Sequence, residues 1–243
     1  ACLNKGEFKL ARIAGLAVVP HAEDVPTLIR AYEVKGYFDE LLDLLESALG
    51  LERAHMGVFT QMGIALAKYR PERLMEYLKL YWSRSNLPQL IKVTDKAHLW
   101  RELVFLYTKY DEPDNAALTI MEHCSDAWDH DQFKAVLPQV ANVEIYYRAL
   151  TFYLEQHPLL LNDLLTVLVK RIDHARVVRM FKKHDHDNVP LIRSYLMSVQ
   201  PQNLEAGNDA YNDLLIEEED YDTLRVSIDA YDNFDALALA SRL

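Results

Sequence analysis

Val143-Glu144-Ile145-Tyr146-Tyr147-Arg148-Ala149-Leu150-Thr151-Phe152-Tyr153-Leu154-Glu155 carries non-aromatic polar side chains at only four positions. Glu144, Arg148, Thr151 and Glu155 fall at i, i+4, i+7 and i+11, a single narrow ridge on a helix of 3.6 residues per turn. Every other residue there is Val, Ile, Tyr, Ala, Leu or Phe. A helix with so thin a polar edge must be covered on at least two sides. It belongs inside a stack of helices, not on the outside of a small bundle.

The same period extends in both directions. Phe38, Leu41, Leu42, Leu45, Ala48 and Leu49 follow the i, i+3, i+4, i+7 rule, with Gly50 at the C′ position. Gly36 closes a preceding helix over residues 25–35 in the same way. Pro71, Pro88, Pro113, Pro138, Pro158 and Pro190 recur at intervals of one helix plus a turn. Proline is accepted in a first helical turn and breaks interiors, so this spacing marks successive helix starts. Asp24, Asp126, Asp173 and Asn203 are candidate N-caps. The pattern predicts 13 to 15 short helices.

A loose grammar repeats. Ala31-Tyr32 before Gly36-Tyr37-Phe38-Asp39, Leu106-Tyr107 before Tyr110-Asp111, and Ala230-Tyr231 before Asn233-Phe234-Asp235 each end a helix on an aromatic and open the next after a short turn. Fuzzy repetition of helical hairpins predicts an all-α solenoid, an elongated rod running through residues 1–243 as one segment. A compact all-α bundle is the alternative.

Composition narrows function. Only 7 glycines in 243 residues leave little for glycine-rich phosphate loops or tight hairpins. A net charge of −11 argues against nucleic acid as a partner. Two cysteines, Cys2 and Cys124, make no disulfide framework, which suits a cytoplasmic protein. No apolar run approaches the ~20 residues of a membrane span. The absence of an initiator Met and of a signal peptide reads as a segment of something longer.

The charge is uneven. Between Glu205 and Asp235 there are eleven acids and one base, Arg225. Two basic zones precede it: Lys68 to Lys109, with nine bases against four acids, and Lys170 to Arg193, with seven against three. Solvated helix faces are the plain explanation; a docking stripe for an acidic partner is the functional one.

Candidate chemistry is thin, and no cofactor or metal is expected. Glu52-x-x-His55 occurs once, whereas a di-iron bundle needs two copies and two further glutamates. Glu218-Glu219-Asp220-Tyr221-Asp222 loosely matches the magnesium-binding motif of all-α terpenoid synthases, yet an acid-rich first helical turn looks the same. His184-Asp185-His186-Asp187 could hold zinc adventitiously, but reads as a polar loop. Asp229, Asp232 and Asp235 lack calcium-loop spacing. Trp82, Trp100 and Trp128 sit in apolar helical patterns that favour packing over partner hot spots. Gly57 and Gly63 inside a helix suggest close helix–helix approach.

Several stretches together resemble the clathrin heavy chain family. They are Gly50-Leu51-Glu52-Arg53-Ala54-His55-Met56-Gly57, His98-Leu99-Trp100 through Tyr110, Asp126-Ala127-Trp128, and Val140 through Tyr147. Pro158 through Leu165, Asp173-His174-Ala175-Arg176, and Ser227 through Asp235 continue the match in order. Met180 to Pro190 and Pro201 to Asn212 match less well. The resemblance implies a proximal-leg segment built of heavy-chain repeats in a right-handed α-superhelix. It also implies a non-enzymatic coat scaffold on the cytoplasmic face of coated pits and vesicles. The implied partners are other heavy-chain legs and the acidic, helical clathrin light chain. Joined to the basic zones, it makes Lys92, Lys96, Lys109 and Arg193 the expected light-chain contacts. An α-solenoid of a vesicle tethering or sorting complex is the second reading, and an all-α enzyme around Glu218–Asp222 the third.

Overall fold

Helix-forming periodicity is realised among the described residues, and short turns bring many of the helices back against a near neighbour in sequence. The computed structural model describes residues 6–184 and 186–243, the side chains of 184–188 excepted. Cys2 and the side chains of the His184-Asp185-His186-Asp187 run therefore lie outside the described residues. All regular structure among them is helical. The chain divides into two units, Ala1–Trp128 and Asp129–Leu243.

The first unit holds α1 (Phe8–Val18), α2 (Val25–Glu33), α3 (Phe38–Leu49), α4 (Met56–Tyr69), α5 (Leu74–Tyr81), α6 (Leu87–Lys96), α7 (Trp100–Lys109), α8 (Pro113–Glu122) and the single turn α9 (Cys124–Ala127). The second holds α10 (His130–Val136), α11 (Val143–Gln156), α12 (Leu161–Leu168), α13 (His174–His184), α14 (Arg193–Val199), α15 (Glu205–Glu217), α16 (Tyr221–Ala230) and α17 (Ala236–Arg242). Seventeen helices among the described residues exceed the 13 to 15 expected, because one-turn 3-10 segments and the short α9 and α10 subdivide spans that periodicity alone runs together. Within each unit a helix packs chiefly on the next and the next but one: α4 on α6, α5 on α7, α13 on α15, α15 on α17. That is the contact pattern of stacked helical hairpins.

The opening stretch behaves as its polar ridge requires. Ile145, Tyr146, Tyr147, Ala149, Leu150 and Tyr153 of α11 are buried, while Glu144, Arg148 and Glu155 are exposed. In the first unit, Leu41, Leu44 and Leu45 of α3 join Met62 and Leu66 of α4, Leu74 and Leu78 of α5 and Leu90 of α6 in one core. Each such leucine stabilises the fold by about 1.5–3 kcal/mol through burial. Gly63 permits a close approach: a Cβ there would stand 2.8 Å from Leu90 Cδ2.

Helix ends explain the scarcity of glycine. Four helices close on a left-handed residue, Gly36 (φ 71), His98 (φ 55), Asp111 (φ 60) and Glu219 (φ 57). In each case the next amide donates to a carbonyl five residues back: Tyr37 to Tyr32 (3.2 Å), Leu99 to Thr94 (3.0 Å), Glu112 to Tyr107 (2.9 Å) and Asp220 to Leu215 (2.9 Å). This is a Schellman closure, and only one of the four uses glycine. Gly50 does not take this role, because its φ is −79.

Some expected boundaries shift. Pro71, Pro88, Pro113 and Pro158 stand at the first or second position of a helical segment, and Pro138 is second in Leu137–Gln139. Pro190 instead lies within the 3-10 segment His186–Ile192. Asp173 caps α13 through a 3.1 Å bond from the Arg176 amide. Asp24 occupies a cap position without a side-chain bond. Asp126 lies within α9, and Asn203 is a left-handed residue (φ 49) after the Gln200–Gln202 turn, so neither is an N-cap.

Candidate partner-binding surface

Polar contacts in both units join side chains 25 to 36 residues apart, the length of one helical hairpin. Several of the basic residues are committed to this ladder. Lys68 pairs with Glu33 (3.2 Å), Arg70 with Asp39 (2.5 Å) and Arg73 with Glu46 (3.3 Å). Arg84 lies 3.9 Å over the Phe59 ring, and Arg101 Nε donates to the Asp126 carbonyl at 2.5 Å. In the second zone Arg176 grips Glu144 (2.6 Å) and Lys182 grips Asp213 (3.0 Å). Arg193 reaches Glu218 and, at 3.3 Å, Asp220.

Four exposed lysines of the first zone make neither an ion pair nor a hydrogen bond among the described residues: Lys79, Lys92, Lys96 and Lys109. Lys92 and Lys96 stand one turn apart on α6, where i, i+4 side chains share a face. Lys79, Lys96 and Lys109 occupy last helical turns, where a cation complements the helix dipole. Lys109 Nζ lies 5.3 Å from the Trp82 ring centre and 5.5 Å from that of Phe105. Cation–π attraction thus positions this ammonium while leaving its charge unneutralised. The sequence signal for that arrangement, Phe105 four residues before Lys109, is too common to have singled it out.

Of the predicted contacts, the structure places Lys92, Lys96 and Lys109 on the α6–α7 hairpin. Arg193 lies in the other unit, engaged by its own acidic neighbours. The acidic stretch is correspondingly less bare than its net charge suggests. Asp213 is shared by Lys182 and Arg242 (2.5 Å), and Glu217 also meets Arg242 (3.0 Å). Asp235 and Asp220 cap α17 and α16.

The other candidate residues take structural positions. His55 caps α4: its Nδ1 accepts from the Gly57 amide at 3.1 Å, and its Nε2 lies 3.1 Å from the Val19 carbonyl oxygen. A Cβ on Gly57 would stand 2.8 Å from that ring, so the glycine makes room for the cap and not for another helix. Trp82, Trp100 and Trp128 are all half-buried. Trp100 stacks on His123 with ring centres 3.5 Å apart. Among the described residues no three His, Cys, Asp or Glu side chains converge as a metal site.

Two histidines are held toward the neutral form. Burial lowers the pKa of His174, whose Nδ1 lies 2.5 Å from Tyr195 Oη and whose Nε2 lies 3.1 Å from Gln202 Nε2. Burial, then repulsion from His130, lowers that of His157. His130 bridges Tyr153 Oη (2.9 Å) and Asp163 (2.8 Å), and Lys134 also reaches Asp163 (2.6 Å). Hydrogen bonds from Lys134 and His130 hold the Asp163 carboxyl below its ordinary range. No described helix is long and apolar enough to cross a membrane.

Comparison with known proteins gives a consistent result. The family model described as the region in clathrin and VPS matches residues 16–161 and 165–243. Over 243 residues the chain is 55% identical to the probable clathrin heavy chain of Schizosaccharomyces pombe. It is 53% identical to the clathrin heavy chain of Drosophila melanogaster and 52% identical to clathrin heavy chain 2 of Homo sapiens. All of this chain is covered in each match, but only 14–15% of the relative, so the chain spans about one seventh of their length.

Proposed function

This chain belongs to the family defined by the region in clathrin and VPS, and on that premise we propose that it is a scaffold segment of a clathrin coat. Its role is structural and not catalytic: it packs against other heavy-chain legs on the cytoplasmic face of coated vesicles and binds the clathrin light chain. The two matched stretches correspond in this reading to parts of successive heavy-chain repeats. The light-chain contact is the α6–α7 hairpin, with Lys92, Lys96 and Lys109 meeting acidic side chains of a partner helix.

The observation that carries this assignment is the division of labour among cations. Those at Arg70, Arg73, Arg176, Lys182 and Arg193 have carboxylate partners within the fold, whereas Lys92, Lys96 and Lys109 are exposed and have none among the described residues. Unneutralised charge next to half-buried aromatic surface suits a partner that is acidic and helical. The family description also covers VPS proteins, which keeps a sorting-complex solenoid as the second reading; identity above 50% to clathrin heavy chains favours the first.

The test is a titration of this chain with purified clathrin light chain at 50 mM and 500 mM salt. Binding at low salt that weakens at high salt is expected, because exposed charges are screened beyond about 10 Å at 0.1 M ionic strength. No binding at low salt would overturn the light-chain assignment.

A further inference from the structure

Two amides on α15 are enclosed and incompletely satisfied. Asn208 and Asn212 are each only 1% exposed. Their orientations are fixed by neighbours. Gln200 Nε2 donates to Ser227 Oγ (2.8 Å), so the Ser227 hydroxyl proton points to Asn212 Oδ1 (2.7 Å). Asn208 Nδ2 donates to both Asn203 Oδ1 (2.9 Å) and the Asn233 carbonyl (3.0 Å). The atoms left over are of opposite sense: Asn212 Nδ2, a donor, and Asn208 Oδ1, an acceptor, both buried and without a hydrogen-bond partner among the described residues.

Turning either amide over does not help. A reversed Asn212 would set its Nδ2 against Ser227, whose own proton would then lose its acceptor; a reversed Asn208 would set its oxygen against two acceptors. The two residues are four apart on one helix, so their Cβ atoms lie about 5–6 Å from each other on one face. That separation suits a single molecule that can both accept and donate.

We propose that Asn208 and Asn212 form an internal hydration site: one water accepts from Asn212 Nδ2 and donates to Asn208 Oδ1. Buried waters occupy sites with two to four polar partners and are retained because removing them strands those groups. The water completes a hydrogen-bonded seam from Gln200 through Ser227 of α16 and both asparagines of α15 to Asn203, Asp232 and Asn233 before α17. Asn203 Nδ2 meets Asp232 at 2.9 Å, and Asn233 Nδ2 meets the Asn203 carbonyl at 2.8 Å. The seam fixes the register of successive hairpins through polar groups, where elsewhere leucines do so.

The test is a crystal structure of this chain at a resolution that orders internal water, paired with NMR of the whole chain in solution. A water within hydrogen-bond distance of both atoms, and a long-lived water correlation to the Asn212 side-chain amide, are expected. A direct Asn212–Asn208 bond in the crystal, or an Asn212 amide with no water correlation, would overturn the proposal. The Asn208→Leu/Asn212→Leu variant, which removes both polar atoms, should lose the water from its own crystal structure while keeping its helical circular dichroism; a water retained at that place would also overturn the proposal.

Discussion

Gly36→Ala isolates what a left-handed helix end contributes in this fold. A Cβ added at Gly36 meets nothing within 4 Å, so packing is untouched and the effect is conformational. At φ 71 an L-residue costs about 1–2 kcal/mol. Alanine returns roughly 0.4–1 kcal/mol by restricting the unfolded chain. The net expectation is a loss of about 0.5–1 kcal/mol, seen as a melting temperature lower by roughly 2–4 °C per kcal/mol for a chain of this size. Glu219 stands at the equivalent position with φ 57 and an exposed side chain, so Glu219→Gly should shift stability the other way by a similar amount. Thermal unfolding followed by circular dichroism at 222 nm, at constant protein concentration, reads both. An unchanged Gly36→Ala together with a destabilised Glu219→Gly would refute the reasoning that these ends are strained Schellman closures.

Three further outcomes follow from packing and electrostatics. Gly63→Val should destabilise by about 1–3 kcal/mol in urea unfolding, because the new methyls meet buried Leu90; a neutral result would contradict the close contact of α4 and α6. His174 has its pKa depressed by burial, so the stability it contributes is present above the unfolded value near 6.5 and is lost as pH falls below it. His174→Asn should flatten the stability profile between about pH 7 and 5, and an unaltered slope would remove His174 from that account. Tyr69 donates to Glu33 at 2.7 Å, its own pKa pushed up to about 12 by burial and then by that carboxylate, while Glu33 is held low chiefly by the same bond. Tyr69→Phe should raise the Glu33 pKa in an NMR titration, with Lys68 retaining part of the depression.

The all-α architecture was legible because hydrophobic period is a local property, and α3 begins and ends where Phe38 and Leu49 suggested. Caps were less legible. Asp, Asn and Ser serve turns and helix starts alike, so Asp126 and Asn203 resembled N-caps while His55 and Asp220 were the residues that do the capping. Left-handed ends at His98, Asp111 and Glu219 carry no glycine to mark them. Charge was the least legible, because its meaning depends on what lies a hairpin away. Arg193 and the acids near it read as separate basic and acidic features, and in the structure they join each other. Lys92 and Lys96 read no differently from Arg70 and Arg73, which pair with Asp39 and Glu46.

The direct test of the proposed function compares light-chain affinity of the unmodified chain with two variants, Lys92→Glu/Lys96→Glu/Lys109→Glu and Arg193→Glu, by titration at low salt. Three reversed exposed charges at about 0.5–1 kcal/mol each should weaken binding roughly 10- to 100-fold while leaving helicity unchanged. Arg193→Glu should lower the melting temperature and leave the affinity within about twofold, because its role is in the fold. Unchanged affinity in the triple variant, or a loss confined to Arg193→Glu, would contradict the assignment of the free lysines to the partner and the paired arginine to the structure.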